Sequence, residues 1–427
     1  MRILFATEYY SPFTPGGSPW SIRLLAEALA ARGHQVSVVT PNYGAAAREE
    51  VGGVAVVRFP FWHRLNPGPT MAPTRALVSP RFHWRLARAV RAEAHRIGAE
   101  VIHAQDKHAL VGAFFAGRTL RRPVFLTLRD TGLICPIATC LLSHDLVPAD
   151  CSAVKLQREC AGFYLDHYIG SGWARRARVR ANIAVLYADA RMKRLLLNRL
   201  DGLVSVSRGL LEIYLKAGRG RPEASSVVYT LPPARPKPDA IAVERLRRRY
   251  GLQGRKTVLY VGKLSLGKGG PVFLAAAEQV SRQYPEATFL VAGPDRPEAQ
   301  SDGVDLRWLG RLDHEELLAV YGIADLVVLP SVGPEALSRV PLEAAAAGRP
   351  TIGARAGGIP EEIVDGETGL LVDRGNAAAL ARGIVHLLHD EALRERMGRN
   401  ATEFIAKQFE PEAIVQASLT LYQSVRK

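Results

Sequence analysis

The chain has no run of 18 consecutive apolar residues, the length a helix needs to cross a bilayer, so no membrane span is expected. Its first residues, MRILFATEYY, lack a basic stretch followed by an apolar one. A secretory leader is therefore not expected and the location reads as cytoplasmic. Cysteine is scarce, with four in 427 residues, and in a cytoplasmic protein disulfides are not expected. Acidic residues are short in one half only. Residues 1–232 hold 31 Lys and Arg against 16 Asp and Glu, while residues 233–427 hold 25 of each. The whole net charge of +15 lies in the first half.

What is present is a globular composition, 48% hydrophobic and 23% charged, at a length that calls for two domains rather than one core. The excess basic charge is concentrated. Trp173–Leu200 carries eight basic residues and one acidic residue, Asp189, and Arg75–Arg96 carries six arginines and one glutamate. A solvated basic face is the plain reading. The sharper reading is contact with an anionic lipid surface or an anionic acceptor, because Trp84, Trp173 and other apolar residues are interleaved. No nucleic-acid-binding module is recognisable, so nucleic acid is not an expected partner. All four cysteines, Cys135, Cys140, Cys151 and Cys160, fall in one segment with spacing C-x4-C-x10-C-x8-C. Zinc sites favour tighter pairs. Reduced thiols packing a long loop are the default, and a metal is the alternative.

Strand-like and helix-like segments alternate through both halves. Strands are predicted at Arg2–Thr7, Gln35–Thr40, Gly53–Phe59, Glu100–His103, Pro123–Leu128 and Gly202–Ser207. A helix is predicted at Ser21–Ala31, and basic helices within 60–97 and after the cysteine segment. Residues 229–240, YTLPPARPKPDA, hold four prolines and no periodicity, which marks a linker. The alternation restarts with strands at Thr257–Gly262, Thr288–Gly293, Asp305–Leu309, Leu326–Leu329, Pro350–Gly353 and Thr368–Val372, helices at 270–283, 313–323 and 340–347, and a last helix at Pro411–Val425. Strands separated by helices indicate parallel sheets covered on both faces. The expectation is two doubly wound Rossmann-like domains, 1–232 and 233–405, followed by a segment 406–427 that returns to the first. A site in the cleft between them is expected at strand C-terminal ends.

Three stretches carry chemistry. Gly16-Gly17 follows the first strand and lets backbone N–H groups approach an anion, although an ordinary turn reads the same. It is not the G-x-G-x-x-G fingerprint of dinucleotide sites. VGKLSLGKGG, residues 261–270, places Lys263 and Lys268 in a glycine-rich loop before a helix, which suits a diphosphate. No Ser or Thr follows the Gly-Lys, so it is not a P-loop. Solvated surface lysines are the alternative. The third stretch is DLVVLPSVGPEALSRVPLEAAAAGRP, within Asp325–Val372. Here a short buried strand feeds a loop with Glu335 and a helix with Glu343. Amides of Ala336, Leu337 and Ser338 are candidates for a phosphate or a sugar hydroxyl. Glu343 can take a vicinal diol, since a carboxylate accepts two hydrogen bonds side by side. A first-turn glutamate serving the helix dipole is its alternative.

Together these segments resemble glycosyltransferase family 4, retaining enzymes of the GT-B fold. The matching pieces are PGGSPWSIRLLAEALAARGHQVSVVT, EVIHA, VFLTLRDTGLICP, LVSVS, YVGKLSLGKG, FLVAGPD, WLGRLDHEELLAVYGIADLVVLPS, the spaced pair Glu335 and Glu343, and GRPTIGARAGGIPEEIVDGETGLLV. The resemblance spans nearly the whole chain. It implies a nucleotide-diphosphate sugar as donor substrate, UDP or GDP undecided, with no further cofactor and no metal. Lys263 and Lys268 would contact the diphosphate, Glu343 the ribose, and Glu335 with Ala336, Leu337 and Ser338 the sugar. Gly16 and Gly17 would approach the phosphates from the first domain. Glu335, Lys268 and Arg129 would be the catalytic group. The acceptor would be a glycan, a lipid-linked molecule or a small molecule, held by the first domain near His103, Arg129 and Asp130.

Two departures stand out. Relatives carry His-Asp after the strand where this chain has Arg129-Asp130, and arginine cannot act as a base. The family's Gly-Phe-Gly after the first glutamate is Ala336-Leu337-Ser338. An enzyme for a cell-envelope, lipid-linked or secondary-metabolite acceptor is the leading expectation. A donor-binding or scaffold protein with a decayed site, serving a polysaccharide assembly complex, is the alternative.

Overall fold

The structure is a computed structural model. It describes residues 1–68, 70–137, 152–169, 171–233, 240–294 and 303–425. The chain divides into two compact units, Met1–Leu231 with Pro411–Lys427, and Pro232–Glu410. The statements below on strands and sheets are made of the described residues.

The first unit is built on an eight-stranded sheet. Its strands are β1 (Arg2–Ala6), β2 (Gln35–Asn42), β3 (Arg48–Val51), β4 (Val54–Pro60), β5 (Val101–Ala104), β6 (Val124–Leu128), β7 (Gly202–Ser205) and β8 (Ser225–Val227). The spatial order is β3-β4-β2-β1-β5-β6-β7-β8. Ile3, Leu4, Phe5 and Ala6 of β1 are wholly buried, which requires cover on both faces of the sheet. β1 pairs in parallel with β2 (Arg2 opposite Gln35) and with β5 (Ile3 opposite Val101). β3 alone runs antiparallel, Arg48 opposite Val57. It reads REEV, an edge strand guarded by charge and lacking an apolar run, so its sequence does not announce it. β8 is three residues long and equally silent.

The first helix spans Gly17–Ala31 and so begins four residues before the Ser21 expected from sequence. Pro19 lies in its first turn, where a missing N–H costs nothing. The basic helix Pro80–Ile97 starts from Ser79, whose side chain accepts from Phe82 N–H, and ends at Gly98 in the left-handed conformation. Trp173–Leu197 is the second basic helix. The last helix, Pro411–Ser424, packs into this unit through Tyr422 and Glu412. The Tyr422 hydroxyl meets His103 Nδ1 at 2.7 Å, and Glu412 pairs with Arg32.

The second unit holds a six-stranded parallel sheet, β9 (Lys256–Val261), β10 (Ala287–Ala292), β11 (Asp305–Gly310), β12 (Leu326–Leu329), β13 (Thr351–Ala354) and β14 (Gly369–Val372). Its order is β11-β10-β9-β12-β13-β14. Alternate residues of β9 feed two separate cores: Val258 and Tyr260 join Phe273, Phe289 and Ile352, while Leu259 joins Leu290, Tyr321 and Ala344. That is the period of two of a strand covered on both sides. Helices Ala377–His389 and Glu391–Gln408 occupy a stretch for which no element is predicted above. Leu380, Ile384, Leu387 and Leu388, all buried, carry the helical spacing that identifies the first of them.

Both units are doubly wound α/β structures, as the sequence predicts. In the second, the chain leaves β9 toward β10 on one side and returns as β12 on the other. The loops after β9 and β12 therefore lie next to each other at the point where a doubly wound sheet receives ligands.

Candidate active site

The loop after β9 is the lysine loop and the loop after β12 carries Glu335, so the sheet order brings together two stretches 67 residues apart. The Tyr260 hydroxyl, at the end of β9, donates to the carbonyls of Lys263 (2.6 Å) and Lys268 (3.1 Å), fixing both arms of the loop. The Gly267 carbonyl accepts from Val332 N–H (3.0 Å) and Gly333 N–H (2.9 Å), which ties the loops to each other. Gly269 sits at φ +73°, and a Cβ there would lie 1.9 Å from the Pro330 carbonyl oxygen. Only glycine permits that approach.

Within this frame Lys268 Nζ lies 2.6 Å from Glu335 Oε1, and the Ser331 hydroxyl donates to the same oxygen at 2.7 Å. Lys268 and Lys263 are both exposed. Glu335 is held from behind as well. Its carbonyl accepts from Gly358 N–H at 2.8 Å, and a Cβ on Gly357, at φ +56°, would meet that oxygen at 1.9 Å.

Ser338 corrects the sequence reading. Its N–H is spent on Glu362 Oε2 at 3.0 Å, and its hydroxyl accepts from Val340 N–H at 3.2 Å as the cap of helix Arg339–Ala346. It is an N-cap rather than an open amide. Ala336 is buried and Leu337 half-buried. Glu362 is a residue that sequence reasoning misses. It is 3% exposed, and its Oε1 is enclosed without a protein partner. Burial, with the charges of Glu335 and Glu361 added, pushes its carboxyl well above the usual range, against the Ser338 N–H and Lys268. The residues GIPEE announce an acid here, but only the fold reveals that it is buried.

Glu343 is 4% exposed. The Tyr321 hydroxyl donates to its Oε2 and Arg339 Nε to its Oε1, each at 3.0 Å. A carboxylate has about four accepting positions, so each oxygen retains capacity for a diol.

In the first unit, Arg129 follows β6. Its Nε donates to the Gln105 carbonyl and its Nη2 to Gln105 Oε1, both at 2.8 Å. Burial lowers its pKa to about 10, which leaves it charged at neutral pH. Asp130 pairs with Lys107 at 2.6 Å and accepts from Gly132 N–H at 2.7 Å. Glu8, Asp106, Lys107, Arg129, Asp130 and Tyr214 line a pocket beyond the ends of β1, β5 and β6. Gly16 precedes the first helix, which no side chain caps. A Cβ at Gly16 would meet nothing within 4 Å, so the backbone is open to approach on that side.

His103 departs from its expected place on the sugar side. Its Nδ1 meets the Tyr422 hydroxyl and its Nε2 the Thr127 hydroxyl at 2.8 Å. Burial, then the Arg129 charge, lowers its pKa to about 3. Neutral and engaged at both nitrogens, it is a core histidine of the sheet and last helix.

Cys140 and Cys151 lie outside the described residues. Cys135 and Cys160 pack beside Leu156, Ala161 and Ile183. Among the described residues, no group of three or more His, Cys, Asp or Glu is arranged to hold a metal ion.

Two doubly wound α/β units in one chain are the architecture of the GT-B class. Residues 16–230 match the glycosyl transferase 4-like domain and residues 242–404 the glycosyl transferases group 1, and the chain belongs to this family. It is 37% identical over 196 residues to the D-inositol 3-phosphate glycosyltransferase of Corynebacterium efficiens. That match covers 42% of this chain and 46% of the relative, so the chain spans about half the length of the curated relative it matches. Among solved structures, sucrose-phosphate synthase from Thermosynechococcus elongatus superposes with a TM-score of 0.70 at 22% identity, over 99% of this chain and 98% of that one. Anabaena HepE in complex with UDP-glucose gives 0.68 at 22% identity, over the whole of both chains. At that identity the likeness is one of fold.

Proposed function

We propose that this protein is a retaining glycosyltransferase that moves a sugar from a nucleotide-diphosphate sugar to an acceptor held by the first unit. The observation that carries the reading is the Lys268–Glu335 pair, 2.6 Å apart, in loops after two neighbouring strands at the switch point of the sheet. An ammonium beside a glycine-rich loop is a diphosphate ligand that rests on a carboxylate until the diphosphate arrives. When Lys268 turns to the phosphates, Glu335 is left to accept from hydroxyls of the sugar. Lys263 joins Lys268 on the diphosphate.

As the bond from the anomeric carbon to the diphosphate breaks, the negative charge on the leaving oxygen is met by these cations. The acceptor oxygen joins the same face of the sugar while its proton passes to the departing diphosphate oxygen, so the anomeric configuration is kept. Glu343 takes the ribose diol. Because the Anabaena relative in fold was solved with UDP-glucose, uridine donors are the first to try, and GDP-sugars follow. Calorimetric titration with UDP- and GDP-sugars, followed by assay of slow donor hydrolysis, tests the reading. No binding and no turnover of any of them overturns it.

The acceptor side is assigned to the cavity of Glu8, Asp106, Lys107, Arg129 and Asp130, with a glycan, a lipid-linked molecule or a small molecule as acceptor. No helix among the described residues is long and apolar enough to cross a membrane. The proposal for location is the cytoplasm, with attachment to an anionic membrane surface through the basic helices. Arg81 and Arg85 stack over Trp62, and Arg88 over Trp84, and Trp84 and Trp173 are 60% and 83% exposed. Tryptophan beside arginine suits the interface of an anionic bilayer. Co-sedimentation that ignores the fraction of anionic lipid in the vesicles overturns that part alone.

A second reading has one observation in its favour. Arg129 stands where relatives carry histidine, and Gln105 fixes it through two hydrogen bonds. A donor-binding protein without transfer would read this way. Activity that emerges only in Arg129→His supports it, and loss of existing activity supports a working arginine.

A further inference from the structure

We propose that Arg339 is a nucleotide-reading residue, whose outer guanidinium N–H groups take acceptor oxygens of the donor nucleotide beside Glu343. The inference rests on the reading that Glu343 holds the ribose.

Arg339 opens the helix Arg339–Ala346. Its side chain is 11% exposed, and only Nε is engaged, with Glu343 Oε1 at 3.0 Å. Nη1 and Nη2 are enclosed, and neither meets an acceptor in the protein. A guanidinium carries five N–H donors, so four of them are left without partners. A buried charge with unmet donors is a severe cost, which native folds rarely carry without a reason. The position compounds it. A cation in the first turn sits at the positive end of the helix dipole, where an anion is favoured. The ion pair with the buried Glu343 engages Nε alone and leaves the outer N–H groups unexplained.

A ligand removes both costs. The Tyr321 hydroxyl, Glu343 and Arg339 form a row in which the carboxylate has accepting positions left and the guanidinium has donors left. A nucleotide carries the complement of both, a ribose diol that donates and oxygens that only accept. The planar fork of arginine holds two oxygens at once, which an ammonium does not. The outer nitrogens of Arg339 are enclosed, so contact with a ligand requires a change of its side-chain torsions. The acceptor oxygens are either carbonyls of the base or those of the phosphate next to the ribose.

Arg339→Lys separates ligand reading from a plain counterion role, because an ammonium at this position still reaches Glu343 but lacks the fork. The variant and the wild type are titrated with UDP, UMP and uridine, and their melting is recorded with and without UDP. The expected result is an unchanged melting temperature without ligand and UDP binding weakened by about tenfold, one bidentate contact. A loss that extends to uridine assigns the base, and a loss confined to UMP and UDP assigns the phosphate. UDP binding within about twofold of wild type overturns the inference, as does a lower melting temperature with the full UDP-induced rise retained. If lysine does not sustain the fold, Arg339→Gln is read by the same UDP-induced rise: a diminished rise supports the inference and a full rise overturns it. Glu343→Gln run alongside separates the two failures. If it weakens UDP binding and Arg339→Lys does not, the inference falls and the donor reading stands. If neither does, the donor reading itself falls.

Discussion

Lys268 Nζ and Glu335 Oε1 lie 2.6 Å apart, joining the loops that follow β9 and β12. Lys268 is about half exposed there, with 47% of its side chain accessible, so the pair contributes only about 0–1 kcal/mol to stability. Lys268→Ala should therefore melt near the wild type while binding UDP at least about tenfold more weakly. Calorimetric titration beside a thermal melt checks both halves of the statement.

Gly357 holds Glu335 from the opposite side. Alanine there must accept φ +56° and a Cβ 1.9 Å from the Glu335 carbonyl oxygen. Gly357→Ala should cost more than about 1 kcal/mol, since the new side chain fits neither the conformation nor the space. It should also weaken UDP binding by displacing Glu335. A variant as stable as wild type in urea unfolding would contradict this packing.

Glu362 gives a pH dependence. Its folded pKa is raised well above the ordinary 4.5, so between those two values the unfolded chain has lost a proton that the folded chain retains. Stability from this group is therefore fullest below about pH 4.5 and declines as pH rises toward the folded value. Glu362→Gln keeps an acceptor for the Ser338 N–H and cannot ionise. It should flatten the decline above pH 4.5, measured by urea unfolding at a series of pH values. A slope identical to wild type would show that Glu362 is ionised in the folded protein.

Tyr422→Phe removes one hydroxyl and leaves His103 Nδ1 buried without its 2.7 Å partner. The expected cost is about 1–3 kcal/mol, the usual penalty for an orphaned buried group. Chemical denaturation measures it. A change near zero would mean that the histidine finds another partner.

The parts legible in the sequence are those whose signal is local. β1, β9 and β12 are apolar runs, and such runs in parallel sheets are covered on both faces. The glycines and lysines of 261–270 mark a loop wherever it lies. Glu335 and Glu343 stand out by their spacing, and the strand order then brings Lys268 to Glu335. What is not legible depends on distant elements. Glu362, Tyr321 and Arg339 acquire their importance from burial against residues 22–24 positions away, or from a missing partner. His103 points the other way. Its place at the end of a predicted strand near the expected cleft suggests the sugar side, and a tyrosine 319 residues later makes it part of the core. β3 escapes because an edge strand advertises charge, not hydrophobicity.

The first unit includes Pro411–Lys427, which are made after the whole of the second. By the time residue 231 is made, the chain holds every strand of that sheet but lacks the helix that partners His103. The second unit, Pro232–Glu410, is continuous and can complete itself while the first waits. Domains ordinarily fold in the order in which they are made. Here the unit begun first also holds the last helix, and the second unit is an insert between the two parts of the other.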